Sequence, residues 1–267
     1  MKELFEVFSK SVAQQLVDEL LEAEDKRSPI DPLTDRYPNI SIKDAYEIQL
    51  SVLETKKKRG HLVVGKKIGL TSKGMQKLLG VYEPDYGHIT DRMVLYEGEP
   101  VKMQELLQPK VEAELAFIIN RDLKGPGVTV ADVFRATEGV MPAIEVIDSR
   151  VRDWKIKIQD TVADNASSAR VVLAGKIFPV QGVDLRLVGM IFDENGEFAA
   201  SSAGAAVLGN PAQAVAWLAN KLSEFNVSLR AGEIVMSGSL IAAQNAVAGD
   251  CFTACFDRFG SVTVKFQ

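Results

Sequence analysis

The apolar positions of this chain change their period about a quarter of the way along. Leu4, Phe5, Phe8, Val12, Leu16 and Leu20 recur at steps of three and four residues, which predicts an amphipathic helix at the start. A second helix is predicted over "SIKDAYEIQLSVLETKKKR". Ser41 and Asp44 form an approximate capping box there, and Ala45, Ile48 and Val52 make one stripe. Beyond residue 60 the period shortens. "HLVVGKKIGLTS" reads as a strand, and "SKGMQKLLG" as a short helix with Ser72 as its cap and Gly80 as its terminator. "PKVEAELAFII" and "VMPAIEVID" read as strands, separated by a helix in "TVADVFRATEG" capped by Thr129. Asn195-Gly196 is a strong hairpin signal, and Asn210 followed by Pro211 opens a helix in "NPAQAVAWLANKLSEF". The tail from Glu233 reads as strands and turns. No repeat or linker divides the chain, so the expectation is a mixed α/β (α+β) protein of one domain, 1–267. Its residues 1–80 would be mainly helical and 81–267 would form a β-rich core.

Composition narrows the function. Of 267 residues, 46% are hydrophobic and 25% charged, as in an ordinary soluble globular protein. The net charge of -5 and a pI near 5.3 give no footprint for nucleic acid. The basic run "KKKRG" falls at a predicted helix end, where lysines meet the negative terminus and solvent. No apolar run reaches the ~18 residues of a membrane span, and "MKELFEVFSKSV" is unlike a signal peptide, so a cytoplasmic protein is expected. Cys251 and Cys255 lie four apart in a predicted strand, roughly 13 Å between Cα atoms, too far for a disulfide. They are expected to be small core residues.

Within "PKVEAELAFII", strand alternation puts Glu112 and Glu114 on one face and Val111, Ala113, Leu115 and Phe117 on the other. The run continues without polar alternation, as a strand covered on both faces does. Two such carboxylates repel each other by ~4 kcal/mol at 4 Å and an effective dielectric near 20, besides losing hydration. Glu145 is embedded in the same way among Ala143, Ile144, Val146 and Ile147. Three acids in apolar strands call for a divalent cation with oxygen ligands. The chain has only two His and no pairable Cys, which argues against zinc and leaves Mg or Mn.

"PKVEAELAF" followed by "PAIEVIDSR" resembles the Glu-x-Glu and Glu motifs of the fumarylacetoacetate hydrolase superfamily, and within it the 2-keto-4-pentenoate hydratase group. "GKKIGLTSKGMQ", "EPDYG", "DWKIKIQDTVADNAS", "AAVLGNPAQAVAWLANKL" and "AGEIVMSGSL" are similar to stretches of these hydratases in the same order. The resemblance implies a β-rich roll or barrel-like core with the N-terminal helices outside. It implies metal ligation by Glu112, Glu114 and Glu145, and catalytic roles for Lys67 and Asp85. By physics alone Lys66 and Lys67 are equivalent, one of the two being expected to point outward to solvent, and Asp85 reads as a turn acid. Three carboxylates around a divalent ion leave about one excess negative charge, which an inward lysine offsets.

The implied chemistry is hydration of a 2-hydroxy-2,4-dienoate in meta-cleavage degradation of aromatic compounds. The metal stabilises negative charge on the C2 oxygen, a proton is delivered to C5, water adds at C4, and reprotonation at C3 gives a 4-hydroxy-2-oxo acid. Asp85 would activate water or move the C5 proton, with Lys67 orienting the carboxylate or relaying a proton. Thr71, Ser72, Ser167 and Ser239 are candidate substrate contacts. Asp164 and Asn165 match the family but read equally as groups satisfying a buried turn. Trp154 and Trp217 are expected to be packing residues. "DWKIKIQDTVADNAS" argues for a monocarboxylate of five or six carbons and against a second basic pocket. The rival readings are a 4-oxalocrotonate decarboxylase, which resembles this chain too, and a non-catalytic partner subunit; Asp85 and the complete ligand set argue against both. Acylpyruvate hydrolysis would need a base, and neither His61 nor His88 lies in a matching motif. The resemblance further implies a homo-oligomer, with association with a pathway decarboxylase or aldolase.

Overall fold

The computed structural model describes residues 9–267; the predicted apolar positions Leu4, Phe5 and Phe8 lie outside them. The first helical stripe continues as α1 (Lys10–Lys26), capped by Ser9, and buries Leu16, Val17, Leu20 and Leu21. A four-residue turn, α2 (Leu33–Arg36), precedes α3 (Ile42–Lys58). Ser41 Oγ accepts from the Asp44 N–H while the Asp44 carboxylate accepts from the Ser41 N–H, so the capping box closes in both directions. Lys56, Lys57 and Lys58 occupy the last turn of α3, where they complement the helix dipole, and Lys56 reaches Glu24 of α1 at 2.6 Å.

The chain then turns to strands: β1 (Val63–Gly69), the short helix α4 (Lys73–Leu79), β2 (Asp85–Thr90), β3 (Val94–Tyr96) and β4 (Pro109–Ile119). α5 (Val130–Ala136) runs directly into β5 (Thr137–Asp148), earlier than the helix pattern suggested. α6 (Ile158–Ala163) and β6 (Ser168–Leu173) follow, then the hairpin of β7 (Gly189–Glu194) and β8 (Glu197–Ala203). At its tip Asn195 and Gly196 take φ of 54° and 83°, the two left-handed positions a tight hairpin turn needs. α7 (Pro211–Ser223) is capped by Asn210. The chain ends in β9 (Ile234–Met236), β10 (Gln244–Asn245), β11 (Cys251–Phe256) and β12 (Gly260–Lys265).

These strands form two sheets. The larger runs β2-β1-β9-β4-β5-β6-β3, with β10 added on β4, and curls into a half barrel; the smaller runs β12-β11-β7-β8. β4 and β5 are its long antiparallel centre, and β9 slots between β4 and β1, antiparallel to one and parallel to the other. The second sheet packs β11 and β12 against β5, and α3 packs on α1 and α6. One apolar cluster extends from Leu16 through Phe117 and Ile144 to Phe266. The cysteines differ from expectation. Phe252, Ala254 and Phe256 take the buried face of β11, so alternation leaves Cys251 half-buried and Cys255 exposed.

Candidate active site

The centre of the large sheet carries the acids. In the β4–β5 register Glu112 lies directly opposite Glu145, with Glu114 two residues along the same face. Carboxylate oxygens from all three lie within 4.8 Å of one another. Glu114 and Glu145 are fully buried, and Glu112 is half-buried at the cavity wall. Glu114 Oε2 accepts the Gly238 N–H at 2.8 Å, and Glu145 Oε1 accepts the Ser168 hydroxyl at 2.7 Å. Their other oxygens, Glu114 Oε1 and Glu145 Oε2, accept no hydrogen bond.

β1 and β2 supply a cation and a fourth acid. Lys67 lies opposite Gly87, and Gly69 opposite Asp85, so Lys67 and Asp85 share a face. The Lys67 Nζ sits 3.3 Å from Glu145 Oε2 and donates to the Ala166 carbonyl at 3.1 Å. Gly69 makes the close approach possible: a Cβ there would stand 2.1 Å from Asp85 Oδ1 and 3.3 Å from Lys67 Nζ. Asp85 Oδ1 is buried and without a hydrogen bond.

Both adjacent lysines are buried, contrary to the expectation that one would be solvated. Lys66 faces the opposite side of the sheet, where Glu233, just before β9, holds it at 2.8 Å. A segment 167 residues away thus settles a choice that β1 alone left open.

Electrostatics follow from this crowding. Burial pushes the Glu112 carboxyl up to about 7, with Glu145 and Asp85 adding to the rise and Lys67 opposing it. Glu114 is driven well above the ordinary range by burial and then by Glu145 and Glu112. Burial also raises Asp85, against the pull of Lys67. Burial alone would lower Lys67, but Glu145, Asp85, Glu112 and Glu114 together hold it above the usual lysine range. Burial first, and then the excess of carboxylates over the one ammonium, favour the neutral forms of these acids.

A cavity of about 390 Å³ opens onto Lys67, Asp85 and Glu112. Thr71, Ser72, Ser167 and Ser239 all line it, so the four candidate contacts meet at one place; Leu70, Ile147, Ile156, Ile158 and Ile241 supply its apolar wall. The Ser239 hydroxyl also donates to the Ile241 carbonyl at 2.7 Å. Two further lysines, Lys110 and Lys157, line the same cavity. Lys110 Nζ lies 4.9 Å from the Trp154 ring centre. Trp154 is therefore a cavity-wall residue, whereas Trp217 packs against the core as expected. Sequence reasoning missed Ser168 and the Gly238 amide, whose only signals were proximity to motifs. Asp164 and Asn165 are buried-turn groups here: the Asp164 carboxylate accepts from the Arg150 backbone N–H at 3.0 Å and Ser167 Oγ at 3.2 Å.

Helices outside a curled sheet, with acids and a lysine projecting from its central strands into one pocket, define a fold class shared with known enzymes. Residues 82–267 match the family model described as fumarylacetoacetate (FAA) hydrolase C-terminal, and the chain belongs to that family. It is 50% identical over 220 residues to a 2-hydroxypent-2,4-dienoate hydratase of Pseudomonas putida, an alignment covering 82% of this chain and 99% of the relative. It is 46% identical over 237 residues to a 2-hydroxyhexa-2,4-dienoate hydratase of Comamonas testosteroni, covering 88% and 90%. Among solved structures, the 4-oxalocrotonate decarboxylase of Pseudomonas putida G7, complexed with magnesium and adipate, superposes with a TM-score of 0.94. It shares 36% identity, with 98% of this chain and 99% of that chain covered.

Proposed function

We propose that this chain is a metal-dependent hydro-lyase that adds water to 2-hydroxypenta-2,4-dienoate to give 4-hydroxy-2-oxopentanoate, in the breakdown of aromatic compounds. The observation that carries the reading is the meeting of Lys67, Asp85 and the Glu112–Glu114–Glu145 cluster around one cavity. Relatives at 50% and 46% identity named as dienoate hydratases support it.

The acids fit a divalent ion. Glu114 Oε1 and Glu145 Oε2 are buried and accept no hydrogen bond, Glu145 Oε2 facing the Lys67 ammonium at 3.3 Å, and an all-oxygen set suits a hard cation such as Mg or Mn. Glu112, Glu114 and Glu145 would hold it, and when bound it supplies Lewis-acid stabilisation of negative charge on the substrate's C2 oxygen. Lys67 presents a fixed ammonium to the substrate carboxylate. Asp85, whose carboxyl burial raises against the pull of Lys67, delivers a proton to C5 or takes one from the attacking water. Thr71, Ser72, Ser167 and Ser239 line the cavity and would contact the carboxylate end, while Leu70, Ile156, Ile158 and Ile241 of the same lining would enclose the hydrocarbon tail.

A second reading, decarboxylation of a 4-oxalocrotonate-type dicarboxylate, is favoured by one observation: Lys110 and Lys157 line the cavity and could meet a second carboxylate. The test is to supply the protein and Mg with 2-hydroxypenta-2,4-dienoate and, separately, with the dicarboxylate, and to weigh the products. Gain of one water on the monocarboxylate is expected; loss of carbon dioxide from the dicarboxylate without hydration of the first substrate would overturn the reading.

The chain is further read as one catalytic domain acting in the cytoplasm as a homo-oligomer, with a pathway decarboxylase or aldolase as an associating partner. The exposed Leu187, Ile191 and Phe198 on and beside the β7–β8 hairpin support a protein contact. Among the described residues no helix is long and apolar enough to cross a membrane.

A further inference from the structure

Between α6 and β6 the backbone does something costly. Asn165, Ala166 and Ser167 take φ of 56°, 50° and 54°, three consecutive left-handed residues, none of them glycine. L-residues resist this conformation by roughly 1–2 kcal/mol each, and it is seen as single residues rather than runs. Such a turn persists only where its surroundings over-determine it.

Here they do so from two sides. The Asn165 side chain grips the backbone of His88 on β2 twice, accepting the His88 N–H at 2.8 Å and donating to the His88 carbonyl at 2.9 Å. On the other side, the Ser167 hydroxyl donates to the Asp164 carboxylate, and the buried Arg150 guanidinium donates to the Asp164 carboxylate and backbone carbonyl. Gly87 completes the fit. It sits opposite Lys67 in the β1–β2 register, and a Cβ on it would lie 2.5 Å from the Asn165 carbonyl oxygen. A side chain at 87 would keep the turn off the sheet.

The consequence of the turn is the direction of one carbonyl. Ala166 O points at Lys67 Nζ, 3.1 Å away, where it accepts the only hydrogen bond Lys67 makes besides its ion pair with Glu145 among the described residues. An ammonium on four flexible methylenes has many rotamers. The Glu145 carboxylate and the Ala166 carbonyl hold the ammonium from two sides, and Lys67 lines the cavity.

We propose that Asn165 is a positioning residue for Lys67: clamped on His88 and seated against Gly87, it holds the left-handed turn that aims the lysine ammonium at the substrate. This rests on the reading of Lys67 as a group that acts on substrate.

Asn165→Gly tests it, because glycine tolerates the left-handed backbone and removes only the clamp. Gly87→Ala tests it from the opposite side by pushing on the Asn165 carbonyl. Displacements of about 1 Å in a positioned group cost up to about 100-fold in turnover, so kcat is expected to fall about 10- to 100-fold in both variants. Mg affinity, measured by calorimetry, should stay within about threefold, because the glutamates are untouched. A purely structural role would lower the melting temperature and leave the kcat of the folded fraction unchanged. Should Gly87→Ala fail to fold, Asn165→Gly, which adds no atom, decides alone. Lys67→Met is run beside them. If it loses turnover while Asn165→Gly keeps kcat within threefold, the positioning proposal is overturned and the role of Lys67 stands. If Lys67→Met retains turnover, the reading of Lys67 falls and the proposal with it.

Discussion

Replacing Glu114 with glutamine separates a metal ligand from a structural acid, because the two roles predict opposite signs for the metal-free protein. Glu114 is fully buried; one oxygen takes the Gly238 N–H and the other has no partner. Glutamine keeps the size and, with its carbonyl toward Gly238, keeps that hydrogen bond. It removes the charge. A Glu114 oxygen lies within 4.8 Å of the other two carboxylates, and two ionised groups at that outer limit repel by about 3 kcal/mol at an effective dielectric of 20. Burial and the neighbouring Glu145 and Glu112 push Glu114 toward its neutral form, which relieves part of this repulsion. Metal-free Glu114→Gln should therefore be as stable as the parent or up to about 3 kcal/mol more stable.

With Mg the order reverses. At a hundred times its dissociation constant, a ligand binding only the folded state adds about 2.7 kcal/mol, which for a chain of this size raises the melting temperature by roughly 5–10 °C. The parent should show that shift. Glu114→Gln, short one anionic ligand, should lose most of it at the same Mg concentration. Differential scanning calorimetry with and without Mg reads both quantities. A variant that is destabilised by more than about 1 kcal/mol without metal, yet keeps the full Mg shift, would refute the ligand role and make Glu114 a structural acid.

Other outcomes follow from the same site. The Glu112 carboxyl is raised from its ordinary 4.5 to about 7, so between those pH values the native metal-free protein binds more protons than the unfolded chain. Its stability should fall as pH rises through 7, while Mg affinity rises over the same window by at least about tenfold per unit, because Glu112 must lose its proton and the raised Glu114 adds to the slope. Calorimetric titrations from pH 5.5 to 8 check both slopes, and an Mg affinity independent of pH would exclude Glu112 as a ligand. Asp85→Asn keeps the shape of the β2 start and removes a titrating proton. It should lower turnover by roughly 10²- to 10⁴-fold with Mg binding retained, as single-turnover kinetics would measure. Near-normal turnover would take Asp85 out of the proton transfers and weaken hydration against decarboxylation.

Much of the architecture lay in local pattern. Alternation in β4 put Glu112 and Glu114 on one face, and unbroken apolar neighbours announced their burial, because strand period and solvent exclusion are both written in consecutive residues. The caps at Ser41, Thr129 and Asn210 and the turn at Asn195-Gly196 were legible for the same reason: each is a bond or a φ preference within four residues. Which acids meet was not local. Glu145 faces Glu112 because β5 folds back on β4 in one register; beforehand the three were grouped by their apolar settings and by the family resemblance, neither of which gives a register. Lys66 and Lys67 were equivalent until β9 brought Glu233 to one face and the Asn165–Ser167 turn brought a carbonyl to the other. Cys255 took the exposed face because the neighbouring phenylalanines claimed the core. The left-handed turn itself had no signal, since non-glycine residues adopt it only under tertiary constraint, here Asn165 on His88 and Arg150 on Asp164. Sequence determined which side chains share a face; tertiary structure decided which faces meet, because contacts between distant strands depend on register and packing that no short window contains.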